Sequence, residues 1–522
     1  MSEVILIRPV SESWSGKELY KRALSIPHGP LTLAAHLIDK GFSTHIIDEI
    51  ALTEIINNDI SSKAQSRLLD EIKKEKPICV GISSMTGEQI RRGRIFASLV
   101  RKADPEIPIV WGGAHPSLLP IMTIQDDKVD IICSGEGDIS FPILVSELKK
   151  NSTGNMLKVP GIIYVQKDGK VQRTKQPPLY RMDDKPEFPY HLLDMELYIN
   201  NIKKKNITRY FEINSSRGCP YKCSFCLNSK EGIPYTKARS ERIVKEMVTL
   251  KNKYNIDGLY FNDENFILNK KRIKEIAEAA IELNLNLKMR GGGRVELFLK
   301  FDDEYLDLFK KAGFYHFGLG VESGSNKTLK SINKQITTEQ IYQVVDSLVK
   351  HGFQSTYNFI AGFPNETIED YKETLRTIYH IFQKCTYMVY PVPAPSFYCP
   401  LPGTQSFDDA VKLGHKVPAT FQDWSDVDYN LKEMKWINKD FHNFIVESRD
   451  IINNINKKYT GDSAIINKSD LAPLNTISIL YFIIGLVYSL SSNIFCNSLK
   501  PPFFIDSPQP IILPTSAKRI FE

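Results

Sequence analysis

Cys219, Cys223 and Cys226 lie in the run RGCPYKCSFC over residues 217–226. Three thiolates on one short loop can hold three corners of an iron–sulfur cube and leave the fourth iron without a protein ligand. An open iron is a place for chemistry, whereas a cluster with four cysteine ligands is usually an electron carrier. Zinc also takes closely spaced cysteines, but a structural zinc site needs a fourth ligand, commonly from a second close pair of Cys or His. No second pair lies nearby, and three is an awkward number for disulfides. The spacing therefore favours a cluster.

The elements around this loop must place it where a substrate can reach. A strand-like run at 211–214 leads straight into it, and further runs at 258–262, 288–291, 316–320, 357–360 and 388–392 are each followed by a helical pattern. A repeated strand–helix unit predicts a full or partial barrel with its active site at the carboxyl ends of the strands. Those ends carry polar groups. Asp263, Glu264 and Asn265 follow the second strand, Arg294 lies past the third and Glu322 past the fourth. Gly362, Phe363 and Glu366 follow the fifth, and Thr404 comes after the sixth. One acid at such a place is more often a helix cap; a ring of polar groups beside the cysteine loop points to a site.

The stretch from about 208 to 409 resembles the radical SAM enzymes, and the Cys-x3-Cys-x2-Cys loop is the most specific mark of that likeness. The resemblance implies that Cys219, Cys223 and Cys226 ligate a [4Fe–4S] cluster whose open iron binds S-adenosylmethionine. An electron from the cluster would then cleave a carbon–sulfur bond to give a 5′-deoxyadenosyl radical. The resemblance places Phe225 beside the adenine, Asp263 and Glu264 near the methionine amino group, and Glu322 at the ribose or methionine end. It has Gly362 and Phe363 flank the adenine and puts Arg294 in the same S-adenosylmethionine-binding set. An electron donor such as flavodoxin or ferredoxin is implied as a partner.

Ahead of the barrel, residues 4–7, 43–47, 78–82, 107–111 and 130–133 read as strands, and 31–40 and 89–101 as helices. This alternation predicts a parallel sheet with helices on both faces, a Rossmann-like domain over 1–150. Small or glycine-rich loops follow three successive strands: Ser83, Ser84, Met85 and Thr86; then Gly112, Gly113 and His115; then Gly135, Glu136 and Gly137. All three loops fall at the carboxyl edge of such a sheet, where ligands bind. The region resembles the cobalamin-binding domain found before many radical enzymes, on those loops and on Pro27, His28 and Gly29 before a helix. That likeness implies cobalamin contacts from His28, Gly29 and the loop residues. The Asp-x-His-x-x-Gly motif that elsewhere supplies a histidine to the lower face of cobalt is absent, so ligation by that histidine is not implied.

Residues 4 to about 409 together resemble the cobalamin-dependent radical SAM enzymes, many of which are methyltransferases. The expected reaction is methylation of an unactivated carbon in a small-molecule or lipid-like intermediate. A non-methylating step, such as oxidative ring formation, would use the same cofactors. Methylthiolation of tRNA or protein is disfavoured, because the first third has only Cys79 and Cys133 rather than a second three-cysteine set. A non-catalytic cobalamin sensor would not need an open iron.

The 522 residues allow several domains. Four segments are expected: the α/β cobalamin domain at 1–150, a linker with a hairpin at 151–204, a partial (β/α)6 TIM-type barrel at 205–419, and a mainly helical region at 420–522. Prolines and charge between 177 and 189 read as a simple interdomain spacer. The net charge of +6 is scattered and leaves no nucleic-acid footprint. Sparse cysteines and an N-terminus that runs straight into an apolar segment, without a signal-peptide pattern, suggest a reducing cytoplasm. Residues 471–499 carry no charge; a buried helix is expected, with membrane contact as the alternative. Isolated Cys385 and Cys399 read as plain structure.

Overall fold

The computed structural model describes residues 3–11, 24–52, 62–74, 76–150, 155–199, 207–229, 234–385, 392–427 and 434–458. The chain forms two compact units, residues 1–318 with 399–436, and residues 319–398 with 437–522.

The first unit opens with β1 (Val4–Arg8), β2 (Thr44–Asp48), β3 (Cys79–Ser83), β4 (Ile109–Gly112) and β5 (Ile131–Cys133). Neighbours among these five pair in parallel. β1 and β3 are almost wholly buried apolar runs, the pattern of strands covered on both faces. A hairpin of β6 (Ile162–Val165) and β7 (Val171–Arg173) extends the sheet antiparallel to β5. The hairpin at the head of the expected linker is therefore an edge of this sheet. The order β2-β1-β3-β4-β5-β6-β7 reverses direction between β1 and β3. That reversal opens a crevice at the carboxyl edge, the usual ligand position in open α/β sheets.

One face of this sheet buries Ile82, Phe96 and Trp111 in a core that also holds Phe407, Phe421 and Trp424. Residues more than 250 positions downstream thus complete the N-terminal core. The helix at Gln405–Lys412 and the turn at Gln422–Asp426 bring them there.

The same unit holds the start of the barrel: β8 (Tyr210–Ile213), β9 (Ser216–Arg217), β10 (Thr236–Lys237), β11 (Gly258–Phe261), β12 (Lys288–Arg294) and the first residues of β13 (Phe314–Glu322). β11 pairs in parallel with β8 on one side and β12 on the other. Period-2 alternation sorts the side chains: Phe211, Ile213, Leu259, Phe261 and Met289 are buried on one face, while Glu212, Tyr260 and Arg290 share the other and remain half-buried. The helices Ser240–Tyr254, Lys270–Glu282 and Asp303–Ala312 follow successive strands, and the side chains of Asn269 and Asp302 cap the last two.

In the second unit, β14 (Gln354–Ala361) follows the later residues of β13 and pairs in parallel with β15 (Ser396–Phe397). Thr337 with Gln340 and Thr367 with Asp370 form capping boxes at the helices Thr338–Lys350 and Ile368–Lys384. The helix Lys439–Lys458 follows. Most of the strand expected at 388–392 lies outside the described residues, and β15 is the strand that joins β14. Residues 471–499 also lie outside them. Among the described residues no helix is long and apolar enough to cross a membrane. The whole is an α/β protein, a parallel-sheet domain followed by a partial barrel.

Candidate active site

The cysteine loop is closed at its base by the antiparallel pair β9–β10, with Arg217 opposite Thr236 and Ser216 opposite Lys237. Gly218 begins the loop with φ of 72°, and a Cβ there would stand 2.5 Å from the Pro234 carbonyl oxygen; only glycine fits. Cys226 donates its N–H to the Cys223 carbonyl at 3.1 Å, and Ser229 donates to the Cys226 carbonyl at 3.0 Å. Cys223 is buried, Cys219 and Cys226 are half-buried, and none is in a disulfide. The loop is tied down on its far side, where Ser406 donates its N–H to the Ser224 carbonyl at 3.0 Å and the two hydroxyls meet at 2.7 Å.

The acids after β11 divide the work. Asp263 is turned to the base of the loop, where it accepts the Ser215 N–H at 2.6 Å, the Ser215 hydroxyl at 2.6 Å and the Ser216 hydroxyl. Arg272 donates to the Ser215 carbonyl at 2.8 Å and stands 3.6 Å from Asp263. Glu264 is exposed and lies against the Gly218 N–H. Asn265 is buried, with its carbonyl oxygen near the Arg294 N–H and its side-chain amide directed at Cys219. Arg294, expected beyond its strand, is the last residue of β12. Its guanidinium donates to Cys223 Sγ at 3.1 Å, lies 3.9 Å over the Tyr221 ring and pairs with Glu296.

Three sulfurs on the corners of a cube need not converge on one point. Among the described residues no three His, Cys, Asp or Glu groups gather closely enough to hold a single metal ion. The donor set suits a cluster: three cysteines on one loop, a guanidinium on one of them, and polar residues at the rim.

The sheet edge of the same unit carries the other expected residues. Ser84 donates to the Gly112 carbonyl at 2.9 Å and His115 to the Ser84 carbonyl at 3.2 Å, so the loops after β3 and β4 are laced together. Gly113 lies so close that a Cβ would stand 2.7 Å from the Ser84 carbonyl oxygen. A Cβ on Gly29 would stand 3.9 Å from the Ser83 hydroxyl. Met85 is exposed although apolar. Its N–H donates to Gln89, which donates in turn to the Pro9 carbonyl. This chain of bonds crosses the switch point between β1 and β3. His115 is turned inward. Its Nδ1 meets the Thr86 hydroxyl at 2.9 Å, its ring packs against Phe421 and Trp424, and burial lowers its pKa to about 4. It is a neutral imidazole at pH 7. His28 stands 3.7 Å from Glu212 of β8.

Further ties join this edge to the barrel. The Ile26 N–H donates to Glu212 at 3.1 Å. Arg217, two residues before the first cysteine, donates to both oxygens of Asp138 at 2.9 and 3.1 Å and to Glu136 at 3.0 Å. His36 stands 3.5 Å from Asp138 Oδ1. Gly135 and Gly137 bracket this loop, Gly135 taking the Ser117 hydroxyl as acceptor at 2.9 Å. The loop that carries the cysteines is therefore fastened to a loop expected to meet cobalamin. Arg217 and Asp138 were not among the expected site residues.

Glu322, Gly362 and Phe363 belong to the second unit. Glu322 ends β13 with φ of 72°, a strained conformation for a residue with a side chain. Its carboxylate pairs at 2.7 Å with buried Lys334. Gly362 and Phe363 donate their N–H groups to Glu366 at 2.7 and 3.3 Å, and burial pushes the Glu366 carboxyl up to about 8. Cys385 ends a helix here, buried, with its thiol pushed up to about 12.

A sheet domain with a ligand edge, fastened to a half barrel with a three-cysteine loop, defines an enzyme built around bound cofactors. The radical SAM superfamily model matches residues 213–378, and the B12 binding domain model matches residues 25–145. An uncharacterized methyltransferase of Pyrococcus horikoshii is 30% identical over 380 residues, covering 72% of this chain and 77% of the relative. The anaerobic magnesium-protoporphyrin IX monomethyl ester cyclase of Rubrivivax gelatinosus is 28% identical, covering 66% of this chain and 60% of the relative. Among solved structures, the cobalamin-dependent S-adenosylmethionine radical enzyme OxsB, with aqua-cobalamin and S-adenosylmethionine bound, superposes with a TM-score of 0.67 at 17% identity, over 93% of this chain and 72% of that one. The radical S-adenosylmethionine methyltransferase TsrM from Kitasatospora setae, with cobalamin and a [4Fe–4S] cluster bound, gives 0.62 at 17% identity, over 79% and 78%.

The chain belongs to the cobalamin-dependent radical SAM enzymes. Its cofactors are a [4Fe–4S] cluster, S-adenosylmethionine and cobalamin.

Proposed function

We propose that the protein transfers a methyl group to an unactivated carbon of a small-molecule or lipid-like biosynthetic intermediate. The observation that carries this reading is the Arg217–Asp138 tie, which fastens the cysteine loop to the cobalamin-domain edge within one compact unit. Two reactive centres that share a substrate must be held at a fixed spacing. When bound, the cofactors supply radical chemistry from S-adenosylmethionine at the open iron and a methyl group carried by cobalamin.

The chain's own residues do the positioning. Cys219, Cys223 and Cys226 hold the cluster, and the Arg294 guanidinium donates a hydrogen bond to Cys223 Sγ. Glu264 and Phe225 are the contacts for S-adenosylmethionine on the unit that carries the cysteine loop. Asp263 serves by fixing the loop. Met85 and the laced loops of Ser83, Ser84, Thr86, Gly112 and Gly113 form the cobalamin face with His28, Gly29, Gly135, Glu136 and Gly137, while His115, turned inward against Phe421 and Trp424, supports the loop from behind. Methyl transfer is favoured by the methyltransferase relative at 30% identity. The cyclase relatives support a second reading, a non-methylating radical step with the same cofactors.

Reconstituted protein with methyl-labelled S-adenosylmethionine, a low-potential reductant such as a flavodoxin or ferredoxin, and candidate intermediates tests this. Label in the product's carbon skeleton is expected. Turnover with 5′-deoxyadenosine formation but no transferred label would shift the assignment to the second reading. Cys223→Ser should lose both the iron chromophore and 5′-deoxyadenosine; retention of either would count against the cluster assignment.

A further inference from the structure

The inner wall of the half barrel contains a cation without a counter-charge. Tyr260 of β11 lies directly beside Glu212 of β8 and Arg290 of β12 in the parallel register, so the three side chains form one row on the same face. The Arg290 guanidinium lies 4.4 Å above the Tyr260 ring. Its Nε is buried without a hydrogen-bond partner. Among the described residues no carboxylate forms an ion pair with it; Glu212, across the tyrosine, is taken by the Ile26 N–H and by His28.

A second donor stands in the same patch. Tyr210, two residues before Glu212 and on its face, is 5% exposed, and its hydroxyl has no partner. Tyr210 stacks with Tyr260 at 6.4 Å. Burial makes Tyr210, Tyr260 and Tyr315 poorer acids, and Arg290 opposes that in all three, so its charge is felt across the patch.

A buried donor without an acceptor is costly, and a guanidinium more so. A wall that leaves both a guanidinium Nε–H and a phenol hydroxyl buried and unpaired is matched by an oxyanion. The flanking phenol rings suit a flat or apolar body attached to it. We propose that Arg290 and the Tyr210 hydroxyl form an oxyanion subsite that takes a carboxylate or a phosphate-type group of the substrate, with the ring of Tyr260 against the body that bears it. This deepens the reading above and rests on it, since it assigns the barrel wall to substrate.

The test uses full-length protein carrying cluster and cobalamin, with benzoate, phenylphosphonate and neutral benzamide as probes in calorimetric titrations. Wild type should bind at least one of the two anions ten times or more tightly than benzamide, and which anion wins tells carboxylate from phosphate-type recognition. Arg290→Gln should lose that preference, and Arg290→Lys should keep part of it. Tyr210→Phe, which removes a single oxygen, should weaken the anion roughly threefold to tenfold. This variant carries the test if Arg290→Gln does not fold. Wild type that binds benzamide as well as either anion overturns the proposal. So does anion binding that is unchanged in Arg290→Gln or, where that variant does not fold, in Tyr210→Phe. Formation of 5′-deoxyadenosine by wild type is measured on the same preparation. Its absence would sink the radical reading while leaving the anion preference to be judged separately.

Discussion

Asp138 offers the sharpest test of how the cysteine loop is held. Its side chain is 2% exposed and is paired with Arg217, itself 20% exposed. Burial alone would raise its carboxyl, but the bonds from His36 and Arg217 outweigh burial and hold it at about 2. Against a free value of about 3.9, that corresponds to roughly 2.6 kcal/mol of stability at neutral pH. Removing one member of a buried ion pair costs about 3–5 kcal/mol. Arg217 retains Glu136, whose side chain is 60% exposed and so a weaker partner. Asp138→Asn should therefore cost about 2–4 kcal/mol at pH 7, read as a shift in urea midpoint of the full-length protein. The folded-state value is depressed, so the contribution is present above pH ~4 and is lost as pH falls toward ~2. The gap between wild type and variant should narrow over that window. A variant within 0.5 kcal/mol of wild type, with a gap indifferent to acid, would refute the account of the tie.

Trp424→Ala removes an indole that is 1% exposed in the N-terminal core; it should cost about 3–5 kcal/mol and reduce cobalamin uptake in a spectral titration. Glu366 holds a proton up to about pH 8 in the folded chain, whereas the unfolded chain releases it near pH 4.3. Its contribution to stability is therefore present below pH ~4.3 and declines as pH rises through ~8. Glu366→Gln should flatten that decline in melting temperature between pH 5 and 8, and a slope equal to that of wild type would show that Glu366 does not titrate there.

Much of the fold was legible because its signals are local. β1 and β3 are short apolar runs, and the cysteine loop is a contiguous motif. What was not legible depends on contacts between distant residues. Arg217 and Asp138 are 79 positions apart and match no local pattern. The inward turn of His115 depends on Phe421 and Trp424. The end of β12 was missed because Gly291, Gly292 and Gly293 have little strand preference, and this hid Arg294 as a strand residue. β15 has two residues, too few to show alternation. Asp263 looked like a ligand contact from its place after a strand; its bonds to Ser215 and Ser216 come from the fold.

The shared core of the first unit bears on how the protein is made. The sheet residues from Ile5 to Ile163 pack with Phe407, Phe421 and Trp424. A ribosome that has finished the sheet must add roughly 260 more residues before the indole emerges, about 13–50 s at 5–20 residues per second. During that interval the nascent sheet exposes the apolar face that Trp424 later covers. Chaperone occupancy should then peak while the barrel is being translated and fall once residue 424 has cleared the exit tunnel.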